Sequence, residues 1–169
     1  PDTVARLLLR QHPLEIDAAG QQVKRTHLMV VGFDSLGQAI ASEALFTGHY
    51  ANLKKLKLTV LDRDLKEGEA SFRYRHPGLD HVGEAIFQEC EVNSVGFDQL
   101  KALNQRSPKG EKLTVALCLG DDMLNFSTAL KISSLMKSHE AGDSIKILFK
   151  AHDNRGVARL SWALKRILM

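Results

Sequence analysis

Asp34, Asp62 and Asp121 each stand where an apolar run gives way to a turn, and two of the three have a glycine beside them or close by. Gly32 and Gly37 bracket Asp34, and a helical apolar pattern (Leu36, Ala39, Ile40, Ala44) begins inside that bracket. Residues of this kind at this spacing handle phosphates and ribose. Gly32 lets the chain turn sharply out of a strand, and Gly37 lets the following helix approach the sheet. The helix start between them offers free N–H groups and a partial positive charge to an anion. Asp62 lies 25 residues beyond Gly37, against about 20 for the carboxylate that accepts ribose hydroxyls in such units. The segment Thr47 to Lys57 absorbs the difference. Asp34 occupies the place of the fingerprint's middle glycine, adding bulk and a like charge. Two unit charges 4 Å apart repel by about 1 kcal/mol in water and about 4 kcal/mol at an effective dielectric near 20. That weakens a phosphate ligand by roughly tenfold to a thousandfold. Turning outward, or capping the helix beside Ser35, softens the penalty.

Other chemistries find less support. Asp121 and Asp122 are adjacent carboxylates that invite a metal, but at the start of a helix they complement its dipole and cap it. Among the seven histidines, His76 and His81 are five apart with no cysteine nearby, so no ligand spacing is present and no metal site is expected. Tyr50 and Lys54 match the Tyr-x-x-x-Lys pair of short-chain dehydrogenases by letter, yet fall between the first helix and the second strand, remote from that chemistry. No catalytic residues are assigned.

Elements that would position these groups follow in order. A short helix over residues 2–10 carries Val4, Leu7 and Leu8, and Pro13 ends it. A polar linker runs through Ala19-Gly20-Gln21-Gln22. The first strand is expected at 27–33, and the first helix of the sheet domain at 35–47 with Gly48 as C-cap. A second strand covers 58–62, and 66–83 reads as irregular helix and loop around His76-Pro77-Gly78. A third strand at 85–90, a helix near 96–105, a loop at 107–110 and a buried strand at 112–119 come next. The helix opened by Gly120-Asp121-Asp122 carries Leu124, Ala129, Ile132 and Leu135-Met136. A fifth strand covers 144–149, and a last helix carries Val157, Leu160, Leu164, Ile167 and Leu168. Near-continuous apolar strands alternating with helices imply an α/β domain, a Rossmann-like doubly wound parallel sheet of order 3-2-1-4-5. The chain divides into an N-terminal helix and linker (1–26) and a single sheet domain (27–169). Its binding crevice faces the ends of strands one and four.

The 169 residues suit one domain with a full core, and 44% hydrophobic with 25% charged residues is ordinary globular composition. No apolar run is long enough to cross a bilayer. No leader peptide is visible, and the ends read as those of a piece excised from something longer. Cys90 and Cys118 sit in strand-like settings and read as buried thiols in a reducing compartment. A net charge of +3 is mild. Lys54, Lys55 and Lys57 form a basic patch without interleaved aromatics, so nucleic acid is not an expected partner.

The pieces Val30-Val31-Gly32-Phe33-Asp34-Ser35-Leu36-Gly37, Val60-Leu61-Asp62-Arg63-Asp64 and Gly120-Asp121-Asp122-Met123-Leu124-Asn125 resemble the TrkA-N or RCK N-terminal domain, the regulator-of-K⁺-conductance family. The resemblance covers about residues 27–153. It implies a cytoplasmic regulatory domain on the cytosolic face of a membrane protein, binding NAD(H) or an adenine nucleotide and dimerising. It places phosphates on the turn Gly32, Phe33, Asp34, Ser35, Leu36 and Gly37. Ribose then falls to Asp62, with Arg63 over the adenine side. Glu91, Val92 and Asn93 border the adenine, and Leu119, Gly120 and Asp121 close the far side. The segment 67–84 departs from the compact family pattern.

The expectation is therefore a non-enzymatic, nucleotide-binding regulatory domain of a potassium channel or transporter, homodimeric and not itself inserted in the membrane. The last helix, through Ala158 and Trp162, is a candidate dimer or partner surface. Two alternatives stand beside it. One is a degenerate Rossmann module serving only assembly, which would show no ligand stabilisation. The other is a small NAD(P)-dependent oxidoreductase, which would need a substrate-binding extension and a positioned acid or base beyond strand five.

Overall fold

The computed structural model describes residues 1–14, 25–47, 54–91, 111–137 and 146–149. In chain order the elements are α1 (Asp2–Gln11), β1 (Arg25–Val31), α2 (Ser35–Thr47), β2 (Leu56–Asp62), α3 (Lys66–Arg75) and α4 (Leu79–Val82). There follow β3 (Gly83–Glu89), β4 (Glu111–Leu117), α5 (Asp122–Lys137) and β5 (Lys146–Phe149). All strand pairs are parallel, and the sheet order is β3-β2-β1-β4-β5. This is the Rossmann-like α/β architecture expected from the apolar runs.

Strand periodicity divides the core in two. Leu28 and Val30 of β1, Leu58 and Val60 of β2 and Ala116 of β4 face one layer, where α1 and α2 supply Ala5, Leu9, Ile40 and Ala44. Met29, Val31, Leu61, Val115 and Leu117 face the other, with Ile132 of α5 against them. Because both faces are covered, β1 is buried along nearly its whole length. Small side chains at Ala39, Ala41 and Ala44 let α2 lie close to the sheet. The N-terminal helix docks rather than hangs free: α1 packs on α2 with Ala5 and Leu9 buried. Lys146 Nζ of β5 donates to the Pro13 carbonyl at 2.8 Å, tying the residues after α1 to the sheet edge.

Several boundaries shift. β1 begins and ends two residues earlier than expected, because Phe33 belongs to the turn and not to the strand. β2 gains Leu56 and Lys57, and β4 stops at Leu117 instead of running to Leu119. The irregular stretch at 66–83 resolves into two helices, α3 and α4. Phe72 is the buried residue of α3, so its sequence shows no helical apolar stripe. Charge supports α3 instead, with Glu67 and Glu69 in its first turn and Arg73 and Arg75 in its last. Gly48, the linker at 19–22, the helix near 96–105, the loop at 107–110 and the last helix with Ala158 and Trp162 lie outside the described residues.

Candidate functional site

Where the strand order reverses, the carboxyl ends of β1 and β4 part and a cleft opens between them, as the general rule for such sheets requires. Three strands end level there. Val31 pairs with Leu61 on one side and Leu117 on the other. The ladder continues one residue further: Gly32 N–H donates to Leu61 O, and Cys118 N–H donates to Val31 O, each at 2.8 Å. The cleft has a volume of about 360 Å³ and is lined by Gly32, Asp34, Asp62, Arg63, Glu91, Cys118, Leu119, Gly120 and Leu124. That lies at the small end of the range of about 300–1,000 Å³ common for ligand sites.

Both fingerprint glycines are required by geometry. Gly32 has φ +91°, and a Cβ there would lie 2.5 Å from the Cys118 carbonyl oxygen. A Cβ on Gly37 would lie 2.1 Å from the Gly32 carbonyl oxygen, so only glycine lets α2 start this close to the turn. Gly120 differs, since a Cβ there meets nothing within 4 Å.

Asp34 is the N-cap of α2. Its Oδ1 accepts from Leu36 N–H at 2.9 Å and Gly37 N–H at 3.0 Å, and its carbonyl accepts from Gln38 N–H at 2.9 Å. Of the two arrangements that would soften the Asp34 penalty, capping is the one found. Asp62 spans from the end of β2 to the turn: Oδ2 accepts from Phe33 N–H, and Oδ1 accepts from Asp64 N–H at 3.2 Å. A carboxylate has about four acceptor positions, so Asp62 keeps capacity for ribose hydroxyls while holding the turn. Asp121 caps α5, with Oδ1 accepting from Leu124 N–H at 2.7 Å.

Of the residues expected around a ligand, Gly32, Asp34, Asp62, Arg63, Glu91, Leu119 and Gly120 line the cleft together. Phe33 is absent from the lining, because its ring turns away into the core. Ring centroids lie 5.3 Å from Phe72 and 5.6 Å from Phe87, both edge-on. Gly37 lies behind the turn, and Ser35, Leu36 and Asp121 are absent from the lining. Val92 and Asn93 lie outside the described residues.

Three residues at the cleft were not singled out as site residues. Leu124 and Cys118 line it, and buried Asn125 shapes it. The Asn125 amide accepts from Leu119 N–H at 3.0 Å and donates to Leu119 O at 2.8 Å, fixing the backbone that closes the far side. Its only sequence signal is a short polar residue four positions after a capping aspartate. The Cys118 thiol is pushed up to about 12, first by burial and then by the Asp34 charge. Burial, and then the Glu91 charge, also raise Cys90. Neither thiol is an activated nucleophile.

Among the described residues, no group of three His, Cys, Asp or Glu side chains is placed to hold a metal ion. The ribose half of an adenosine ligand fits the acceptors on Asp62. A diphosphate fits poorly, because Asp34 holds the N–H groups of Leu36 and Gly37 that would cradle it. Compared with family models, curated proteins and solved structures, the chain matches none.

Proposed function

We propose that this domain binds a ligand with an adenosine moiety in the cleft between β1 and β4, and acts as a regulatory domain without enzymatic activity. The observation that carries this reading is the position of Asp62, whose carboxylate stands on the cleft wall beside the Gly32 turn with acceptor capacity left over. The resemblance of three ordered motifs to the TrkA-N or RCK domain supports a homodimeric cytoplasmic attachment to a potassium channel or transporter. Among the described residues no helix is long and apolar enough to cross a membrane. A ligand here biases a gate only through unequal affinity for two conformations of the assembly.

A second reading is favoured by one specific contact. Asp34 satisfies the α2 donors from within the chain, as a module that serves only assembly would require. Thermal-shift titration of the 169-residue chain with adenosine, AMP, ATP, NAD⁺ and NADH separates the two. A ligand at a hundred times its Kd adds about 2.7 kcal/mol to stability. Asp62→Asn keeps an oxygen for Phe33 N–H but loses the charge and one ribose acceptor, and should weaken the response. No shift with any probe at millimolar concentration would leave assembly as the function. The regulatory half is tested by potassium flux in cells expressing the full-length gene product, wild type against Asp62→Asn. Equal flux would remove it.

A further inference from the structure

We infer that Asp34 makes the cleft selective for a nucleoside over ligands that carry a diphosphate. The inference rests on the nucleotide-binding reading above and narrows its ligand class. A diphosphate entering between Gly32 and Gly37 finds three of the turn's backbone donors already engaged within the chain. Phe33 N–H is held by Asp62, and Leu36 and Gly37 N–H by Asp34 Oδ1. The anion place at the start of α2 is filled by the chain's own carboxylate, which brings the same charge and the same hydrogen bonds that a phosphate oxygen would.

Charge in the cleft argues the same way. Among the described residues its lining carries three carboxylates, Asp34, Asp62 and Glu91, against one guanidinium, Arg63. The Asp34 field reaches the cleft floor, where it adds to burial in holding the Cys118 thiol up. An uncharged nucleoside escapes that repulsion and still offers a ribose diol to Asp62. Each added phosphate meets more of it. Asp34 therefore acts as a specificity determinant at the position where a third glycine would admit the pyrophosphate.

The test is isothermal titration calorimetry of the 169-residue chain with adenosine, AMP, ADP, ADP-ribose and NAD⁺, on wild type, Asp34→Asn and Asp34→Gly. Wild type should bind adenosine at least about tenfold more tightly than ADP-ribose or NAD⁺. Asp34→Gly frees two N–H groups and removes the charge, and glycine is tolerated at this cap. It should bring ADP-ribose and NAD⁺ at least about tenfold closer to adenosine. Asp34→Asn keeps the cap oxygen without the charge and should give a smaller gain, which also guards against a folding defect in the glycine variant. Wild type holding NAD⁺ or ADP-ribose as tightly as adenosine overturns the inference and leaves the nucleotide reading standing, as does an affinity ratio unmoved in both variants. No heat with any probe in any of the three proteins overturns both.

Discussion

Acid should unfold this domain through one histidine at the centre of its sheet. His27 lies on β1, 1% exposed, with Nε2 3.1 Å from the Thr59 hydroxyl and Nδ1 without a hydrogen-bond partner among the described residues. Burial, then the charges of Lys57 and Arg25, push it down to about 3 from its ordinary 6.5. Between those two values the unfolded chain takes up a proton that the folded chain refuses. The neutral imidazole's contribution is therefore intact above pH 6.5 and is lost progressively as pH falls toward 3. At pH 5 the unfolded state gains about 1.5 pH units of protonation free energy, close to 2 kcal/mol at 1.36 kcal/mol per unit. Against a domain stability of about 5–15 kcal/mol that is a visible fraction. Urea denaturation at pH 8, 6.5 and 5 should show the fall, and His27→Gln, which keeps a polar partner for Thr59 and does not titrate, should remove most of it. His76 is also lowered, by burial and then by Arg75. It adds with the same sign, so the decisive quantity is the difference between wild type and variant. Equal losses in the two proteins between pH 8 and 5 would refute the reasoning.

Two further outcomes follow from the turn and the far wall. Gly37→Ala forces a Cβ to within 2.1 Å of the Gly32 carbonyl and should lower stability by about 1–3 kcal/mol or more. Gly120→Ala, with nothing within 4 Å, should stay within about 0.5 kcal/mol of wild type in the same chemical melt. Asn125→Ala leaves both Leu119 backbone groups without their side-chain partners. It should cost about 2 kcal/mol, and amide hydrogen exchange at Leu119 should quicken.

The sheet was legible because its strands are buried on both faces. Runs such as Leu28 to Val31 and Leu113 to Leu117 leave few alternatives to a covered parallel sheet. The cap at Asp121 was also open to reading, since an aspartate just before a helical pattern has a physical reason to stand there, whereas for Asp34 capping and an outward turn both stayed open. The stretch 66–84 was not legible, because α3 buries Phe72 among charged neighbours and a period of 3.6 needs several apolar marks. Phe33 marks a different limit. Its place in the fingerprint predicts a residue at the ligand, but an aromatic cluster with Phe72 and Phe87 draws the ring into the core, with Arg73 stacked on Phe87 at 5.1 Å. No local pattern announces that meeting, since 39 residues separate Phe33 from Phe72. Asn125 was passed over for a related reason: its partners are backbone atoms of a turn whose shape the sequence does not state.

Asp34 and Asp62 divide two tasks that glycine-rich turns leave to a ligand. Helix starts carry unpaired N–H groups that need acceptors, and here the chain supplies them from its own side chains. A turn completed in this way is stable by itself, so ligand binding cannot draw on satisfying those donors. Among the described lining residues, Asp62, Arg63 and the wall formed by Leu119 and Leu124 are the groups left to contribute to a ligand. That restricts the coupling such a domain can transmit. A ligand that displaces Asp34 would have to break two hydrogen bonds and release a carboxylate toward other carboxylates, and so would favour a rearranged turn. One that leaves Asp34 in place would bind without moving α2. The two classes differ in whether the α2 start moves, and the hydrogen exchange of Leu36 and Gly37 amides reports that directly. Protection unchanged on adding adenosine, and altered on adding ADP-ribose to Asp34→Gly, is the pattern that self-capping requires.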